Sequence, residues 1–142
     1  MARGDFTLFN EVAISIGEKK INLETDTIKL ALITNGVTPT ANDATPMWGA
    51  GSGVDYDANE VGTGGGYAAG GQECANPALV RSGATSTFDA DDPAGLAQNG
   101  SGFTDAYWGI LYSDTATNKD AIGFLDLGGP VSEQAGPIAI SW

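Results

Sequence analysis

The chain has 142 residues, 42% hydrophobic and 17% charged, which suits one domain (1–142) with a real core and excludes a wholly disordered chain. Its 21 glycines argue against a helical bundle, because each glycine inside a helix costs about 1 kcal/mol against alanine. Eighteen acids against six cations give a net charge of −12, which repels nucleic acid, and the sequence has neither a polybasic run nor a long apolar segment for a membrane.

Residues 1–17 form an N-terminal segment. Within DFTLFNEVAISIG (5–17), Phe6, Phe9, Ala13 and Ile16 fall on one face at helical spacing and Gly17 is a natural stop. A short amphipathic helix is therefore predicted, with both phenylalanines packed beneath it. The first residues lack the apolar core and cleavage site of a signal peptide, so synthesis and folding in the cytoplasm are expected. The period then changes. Ile28, Leu30 and Leu32 alternate with Thr27, Lys29 and Ala31, as in a half-buried strand.

Residues 35–71 break every periodic pattern with Pro39, Pro46 and nine glycines between Gly49 and Gly71. A structureless loop of that length in a compact domain usually serves binding. The plainer alternative is an ordered surface loop with a short strand or two, and both can hold. Trp48, Tyr56 and Tyr67 are predicted to pin this loop to the body; exposed, they would be natural contact anchors. Short strands follow at Ala78–Arg81, Thr85–Phe88, Ala106–Ser113, Ala121–Leu127 and Ile138–Trp142. The turn-rich SDTATNKD joins the third to the fourth as a hairpin, and residues 95–102 read as a flexible loop. The fold expected is all-β, an antiparallel sandwich or barrel-like domain with one short N-terminal helix and a long Gly-rich loop.

Little here carries chemistry. There is no histidine, hence no commonest general base or metal ligand, and nucleophilic catalysis has no visible pair. Cys74 stands alone and reads as a small packing residue. Asp55-Tyr56-Asp57-Ala58-Asn59-Glu60 opens like a calcium loop but has Glu60 where that loop needs glycine and Gly66 where it needs glutamate. Asp89-Ala90-Asp91-Asp92 reads as a turn; a glycosidase pair would need two carboxylates across a cleft. The Gly62–Gly71 run lacks the Lys-Ser/Thr of a phosphate loop. No enzyme activity, cofactor or resident metal is expected. Charge is uneven along the chain: residues 1–29 hold four cations and five acids, residues 30–142 two cations and thirteen acids.

Several stretches taken in order carry a resemblance. They are Asn22-Leu23-Glu24-Thr25-Asp26-Thr27-Ile28-Lys29-Leu30-Ala31-Leu32, then Asn59-Glu60-Val61 running into Gly66-Tyr67-Ala68-Ala69-Gly70-Gly71. Phe88-Asp89-Ala90-Asp91-Asp92, Tyr107 to Asp114, Ile122-Gly123-Phe124 and Gly136-Pro137-Ile138-Ala139-Ile140-Ser141-Trp142 complete the set. Over nearly its whole length the chain resembles a widespread group of small structural proteins of tailed bacteriophages and prophages. It departs from them at Asp92-Pro93-Ala94-Gly95, where the group continues its strand toward a tryptophan. The resemblance implies a β-rich virion component on the capsid exterior, of the decoration (cement) type. Its partners would be the major capsid protein and copies of itself, as a trimer, with no direct nucleic acid and no membrane. Two other readings stay open: a tail or fibre module binding carbohydrate, through Trp48, Tyr56 or Trp108, or another tail protein; and a carboxylate-based enzyme, which a panel of glycan substrates would test. Charge then suggests the orientation on an acidic shell. Arg3, Lys19 and Lys20, with the Gly-rich loop at 49–71 and its anchors Trp48, Tyr56 and Tyr67, are expected to face the shell or a neighbouring copy.

Overall fold

The sequence IKLALI carries apolar side chains at both parities, and the computed structural model, which describes residues 1–49 and 51–141, buries that strand on both faces. This is β2, Ile28–Ile33. Ala31 and Ile33 are as buried as Ile28, Leu30 and Leu32, and Lys29 alone stays partly exposed, so the half-buried strand expected here is a covered one. Its place explains the difference: β2 lies inside a five-stranded antiparallel sheet with chain packed over both sides.

The N-terminal helix is shorter than its sequence pattern. Phe6–Leu8 forms a strand, β1, and only Val12–Gly17 is helical (α1). The phenylalanine spacing fits both periods, and pairing decides between them: β1 lies antiparallel to the later strand β7 (Ala121–Val131), with Thr7 opposite Phe124. The absence of a side chain at Gly123 favours this, since a Cβ there would stand 2.5 Å from the Phe6 ring and 2.7 Å from the Thr7 carbonyl. Phe9 is buried beside Tyr56 and Phe124, whereas Phe6 remains 41% exposed rather than lying under a helix. The helix buries Val12 and Ser15, and Ala13 and Ile16 face outward.

Two residues, Gln72–Glu73, form β3; Ala78–Ser82 (β4) and Thr85–Asp89 (β5) form a separate two-stranded hairpin; Ala106–Ser113 is β6. The large sheet runs β1-β7-β6-β2-β3. The β6–β7 hairpin is present as predicted, with Leu30 opposite Leu111 and Ile110 opposite Phe124 in the middle of the sheet. β7 continues past Leu127 to Val131, through Gly128 and Gly129 at φ +76° and +114°, a region where glycine carries no Cβ penalty. The last predicted strand is reduced to one bridge, Ile138 with Leu96: Pro137 lacks an N–H to extend it, and Trp142 lies outside the described residues. The sheet does not close into a barrel, because its outer strands, β1 and β3, have three and two residues and pair only inward.

One face of the sheet carries Ala31, Ile33, Ile110, Tyr112 and Phe124 under Trp48, Tyr56, Val37 and Val54 from the long loop. The other carries Ile28, Leu30, Leu111 and Ile122 under Val12, Ile21, Cys74 and Phe88, and further along Leu32 and Leu125 under Tyr67, Leu96 and Phe103. Each fully buried aliphatic side chain contributes roughly 1.5–3 kcal/mol, so the irregular segments stabilise the sheet as a second sheet would.

Candidate interaction surface

The Gly-rich loop is tied down along its length. Ala121 N–H donates to the Pro46 carbonyl (2.9 Å) and Trp48 N–H to the Lys119 carbonyl (3.0 Å), seating the loop against the β6–β7 turn. The Trp48 ring stacks on Tyr112 at 5.2 Å, and Tyr112 donates its hydroxyl to the Gly70 carbonyl (2.8 Å). Tyr56 is fully buried and donates to Asp43. Burial pushes the Asp43 carboxyl up, but the hydrogen bonds from Tyr56 and Thr40 outweigh it and hold the group below its ordinary range. The Tyr67 hydroxyl accepts from Leu32 N–H (2.9 Å) and donates to Glu60 (2.9 Å), which also accepts from Gly70 N–H (2.7 Å). At Gly71, φ +81°, a Cβ would stand 2.1 Å from the Leu30 carbonyl, so the loop ends against the β2 backbone in a place only glycine fits.

Trp48, Tyr56 and Tyr67 therefore pin the loop, and they are corrected as contact residues: at 4%, 0% and 3% exposure they offer no ring to a partner. The acidic loop residues have local tasks too. Asp55 accepts from Gly49 and Asp57 N–H groups, and Glu133, fully buried, accepts from Gly66 N–H (2.7 Å). Among the described residues no three acidic, cysteine or histidine side chains converge as a metal-binding group. Cys74 is buried and its thiol is pushed up to about 12, chiefly by desolvation, which keeps it protonated.

The basic residues do not act as one patch. The Arg3 stem lies over Gly128 at one end of β7, where it lines a shallow hollow with Asp126 and Ile140. Lys19 and Lys20 line another hollow with Thr115–Asn118 and Asp120 at the other end of that strand. Eight strand residues at ~3.3 Å each put these places roughly 25 Å apart. The expected grouping of Arg3 with both lysines is thus split, because β1 runs antiparallel along β7 from Asp126 toward Ile122 and leaves Arg3 at the end it started from. Lys20 is exposed, paired with Glu18 (2.6 Å) and raised by that bond. Lys29 and Lys119 both reach Asp114 (2.8 Å each) and hold its carboxyl below the ordinary range. The end of the sheet near this turn thus gathers Lys19, Lys20, Lys29 and Lys119, four of the six cations.

A different surface emerges from the apolar residues. Among the described residues the large hydrophobic side chains left exposed are Met1, Phe6, Leu8, Ile14, Ile16, Leu79 and Val80, all in the first sixteen residues or on β4. The two segments meet. Phe6 of β1 shares an apolar hollow of about 290 Å³ with Thr87, Phe88 and Leu111, and Ile16 of α1 shares one of about 490 Å³ with Leu79, Ile21 and Leu23. The hairpin itself is exposed along most of both strands; Ala78 and Phe88 alone are partly buried. A lone two-stranded hairpin is marginal in water, and apolar surface gathered in one patch marks an interaction site. The sequence contains one sign of this: Leu79 and Val80 are adjacent, so they point to opposite faces, and a two-stranded ribbon without a covering layer cannot bury both.

The chain matches no protein-family profile, no curated protein and no solved structure.

Proposed function

We propose that this chain is a bacteriophage capsid decoration protein, built in the host cytoplasm, which binds the major capsid protein lattice on the outside of the head and stabilises it. The observation that carries this reading is the gathering of exposed apolar side chains on β1, α1 and β4, with the strongly acidic remainder of the chain left to face water. A surface of this kind fits a structural role without catalysis, in which area against a neighbour does the work. The sequence resemblance to small tailed-phage structural proteins supplies the partner. The fold is read as a reduced sandwich, with the β4–β5 hairpin and the tethered loops standing where a second sheet would. Decoration of a lattice with local threefold points favours a trimer, since cyclic symmetry lets one surface serve three contacts. The tail-module reading loses support at Trp48 and Tyr56, whose rings are covered and cannot stack on a sugar.

The test is occupancy in purified particles. Decoration predicts hundreds of copies per virion, density on the outer shell and a lower temperature of DNA release from heads lacking the protein. A few copies confined to the tail would overturn the proposal.

A further inference from the structure

We infer that the outer edge of β1 is a docking site for an extended, cationic segment of a partner protein, added to the sheet as a sixth strand; the inference stands apart from the capsid reading. From Asp5 onward the inward bonds to β7 fall at odd positions: Phe9 N–H donates to the Ile122 carbonyl and Asp126 N–H to the Asp5 carbonyl, while Gly4 N–H, before the strand, also reaches the Asp126 carbonyl. Antiparallel alternation then turns the N–H and C=O of Phe6 and Leu8 outward. At the next even position the chain supplies its own partner, since Asn10 N–H donates to the Ala41 carbonyl (2.9 Å). At Phe6 and Leu8, among the described residues, no strand lies on that side.

Unpaired strand edges are normally blunted by lysine, proline, a bulge or extreme shortness. The opposite edge, β3, is two polar residues long. β1 is also short, at three residues, but it has no lysine, proline or bulge, and it places Phe6 (41% exposed) and Leu8 (53%) on one side of the open edge. Apolar side chains on the same face of an added strand would pack against the exposed Phe6 and Leu8 side chains. Main-chain pairing with alternate side chains in pockets is the ordinary mode of strand addition.

Charge selects the occupant. Asp5 and Glu11 flank the edge, Asp126 lies opposite Asp5, and Asp89 lines the hollow beside Phe6; the cations near them are Arg3 at the Asp126 end and Lys20, which feels the Glu11 charge. A second copy would bring a segment of the same acidic sign, whereas lysines or arginines flanking an apolar strand would meet these acids within a Debye length of about 8 Å.

The experiment measures fluorescence anisotropy of the labelled peptide KVTVTVK on the full chain, beside EVTVTVE and the non-pairing KVTPTVK. The lysine peptide is expected to bind saturably and about tenfold more tightly than either control. Leu8→Pro, which removes an outward N–H and leaves the β7 ladder intact, should abolish that preference. Asp5→Lys with Glu11→Lys should reverse the charge preference. In the unmodified protein, the Phe6 and Leu8 amides should gain exchange protection on peptide addition while Thr7 stays unchanged, a readout independent of any variant's folding. Equal binding of all three peptides, or unchanged Phe6 and Leu8 amides, would overturn the inference. So would sedimentation showing self-association that Leu8→Pro abolishes, which would assign the edge to a second copy.

Discussion

Residues 35–71 and the β4–β5 hairpin both leave the central sheet, yet the first hides three aromatic rings and the second shows Leu79 and Val80 to solvent. The glycine-rich segment looks the more open of the two in sequence. In the fold it is the more constrained, because its glycines let backbone approach backbone, as Gly71 does at Leu30, and because Tyr67 of the loop accepts from Leu32 N–H while Tyr112 of β6 donates to the loop's Gly70 carbonyl. The hairpin has regular strands and almost no cover. The irregular loop is thus cover for the sheet, and the regular hairpin presents contact surface.

That contrast breaks most severely if the loop is not a cover. Trp48→Ala removes a buried ring stacked on Tyr112 and is expected to cost about 3–5 kcal/mol in urea unfolding. Next comes the glycine pair. Gly71→Ala is expected to cost about 1–3 kcal/mol or more, from positive φ and a backbone clash, while Gly83→Ala in the hairpin turn, with open space around its Cβ, should cost about 1–2 kcal/mol at most. Tyr67→Phe leaves the buried Leu32 N–H without its acceptor, a loss of about 1–3 kcal/mol.

The pH dependence sharpens the same comparison. The folded-state carboxyl of Asp114 lies below its ordinary value because Lys119 and Lys29 bond to it, so its contribution is present above the unfolded value near 3.8 and is lost as pH falls through the lower folded value. The stability difference between the protein and Asp114→Asn should be constant at neutral pH and shrink below about pH 4. A difference that grew on acidification would contradict this assignment. The smallest effect on stability is expected at the hairpin: Leu79→Ser with Val80→Ser should shift unfolding by about 0.5 kcal/mol per site or less.

The β6–β7 hairpin was legible because its turn and its strands are local signals, and β2, β4 and β5 were found on the same grounds. So was the pinning of the loop by Trp48, Tyr56 and Tyr67, which large aromatics in a polar stretch suggest. β1 was not, since Phe6, Leu8 and Phe9 satisfy a helical and a strand period together, and the deciding partner, Gly123, is more than a hundred residues away. The contact surface escaped for a related reason. Charge along the chain grouped Arg3 with Lys19 and Lys20, but the run of β1 along β7 parts them, and the apolar patch exists only where β4 meets the N-terminal segment.

The most direct test is loading of expanded heads assembled without this protein, measured by co-sedimentation. The Phe6→Ser, Leu79→Ser, Val80→Ser triple variant is compared with Ala68→Ser, Ala69→Ser on the exposed loop surface. The triple variant is expected to stay folded by circular dichroism and remain in the supernatant, while the loop variant loads as the unmodified protein does. A triple variant that loads fully would contradict the assignment of this face.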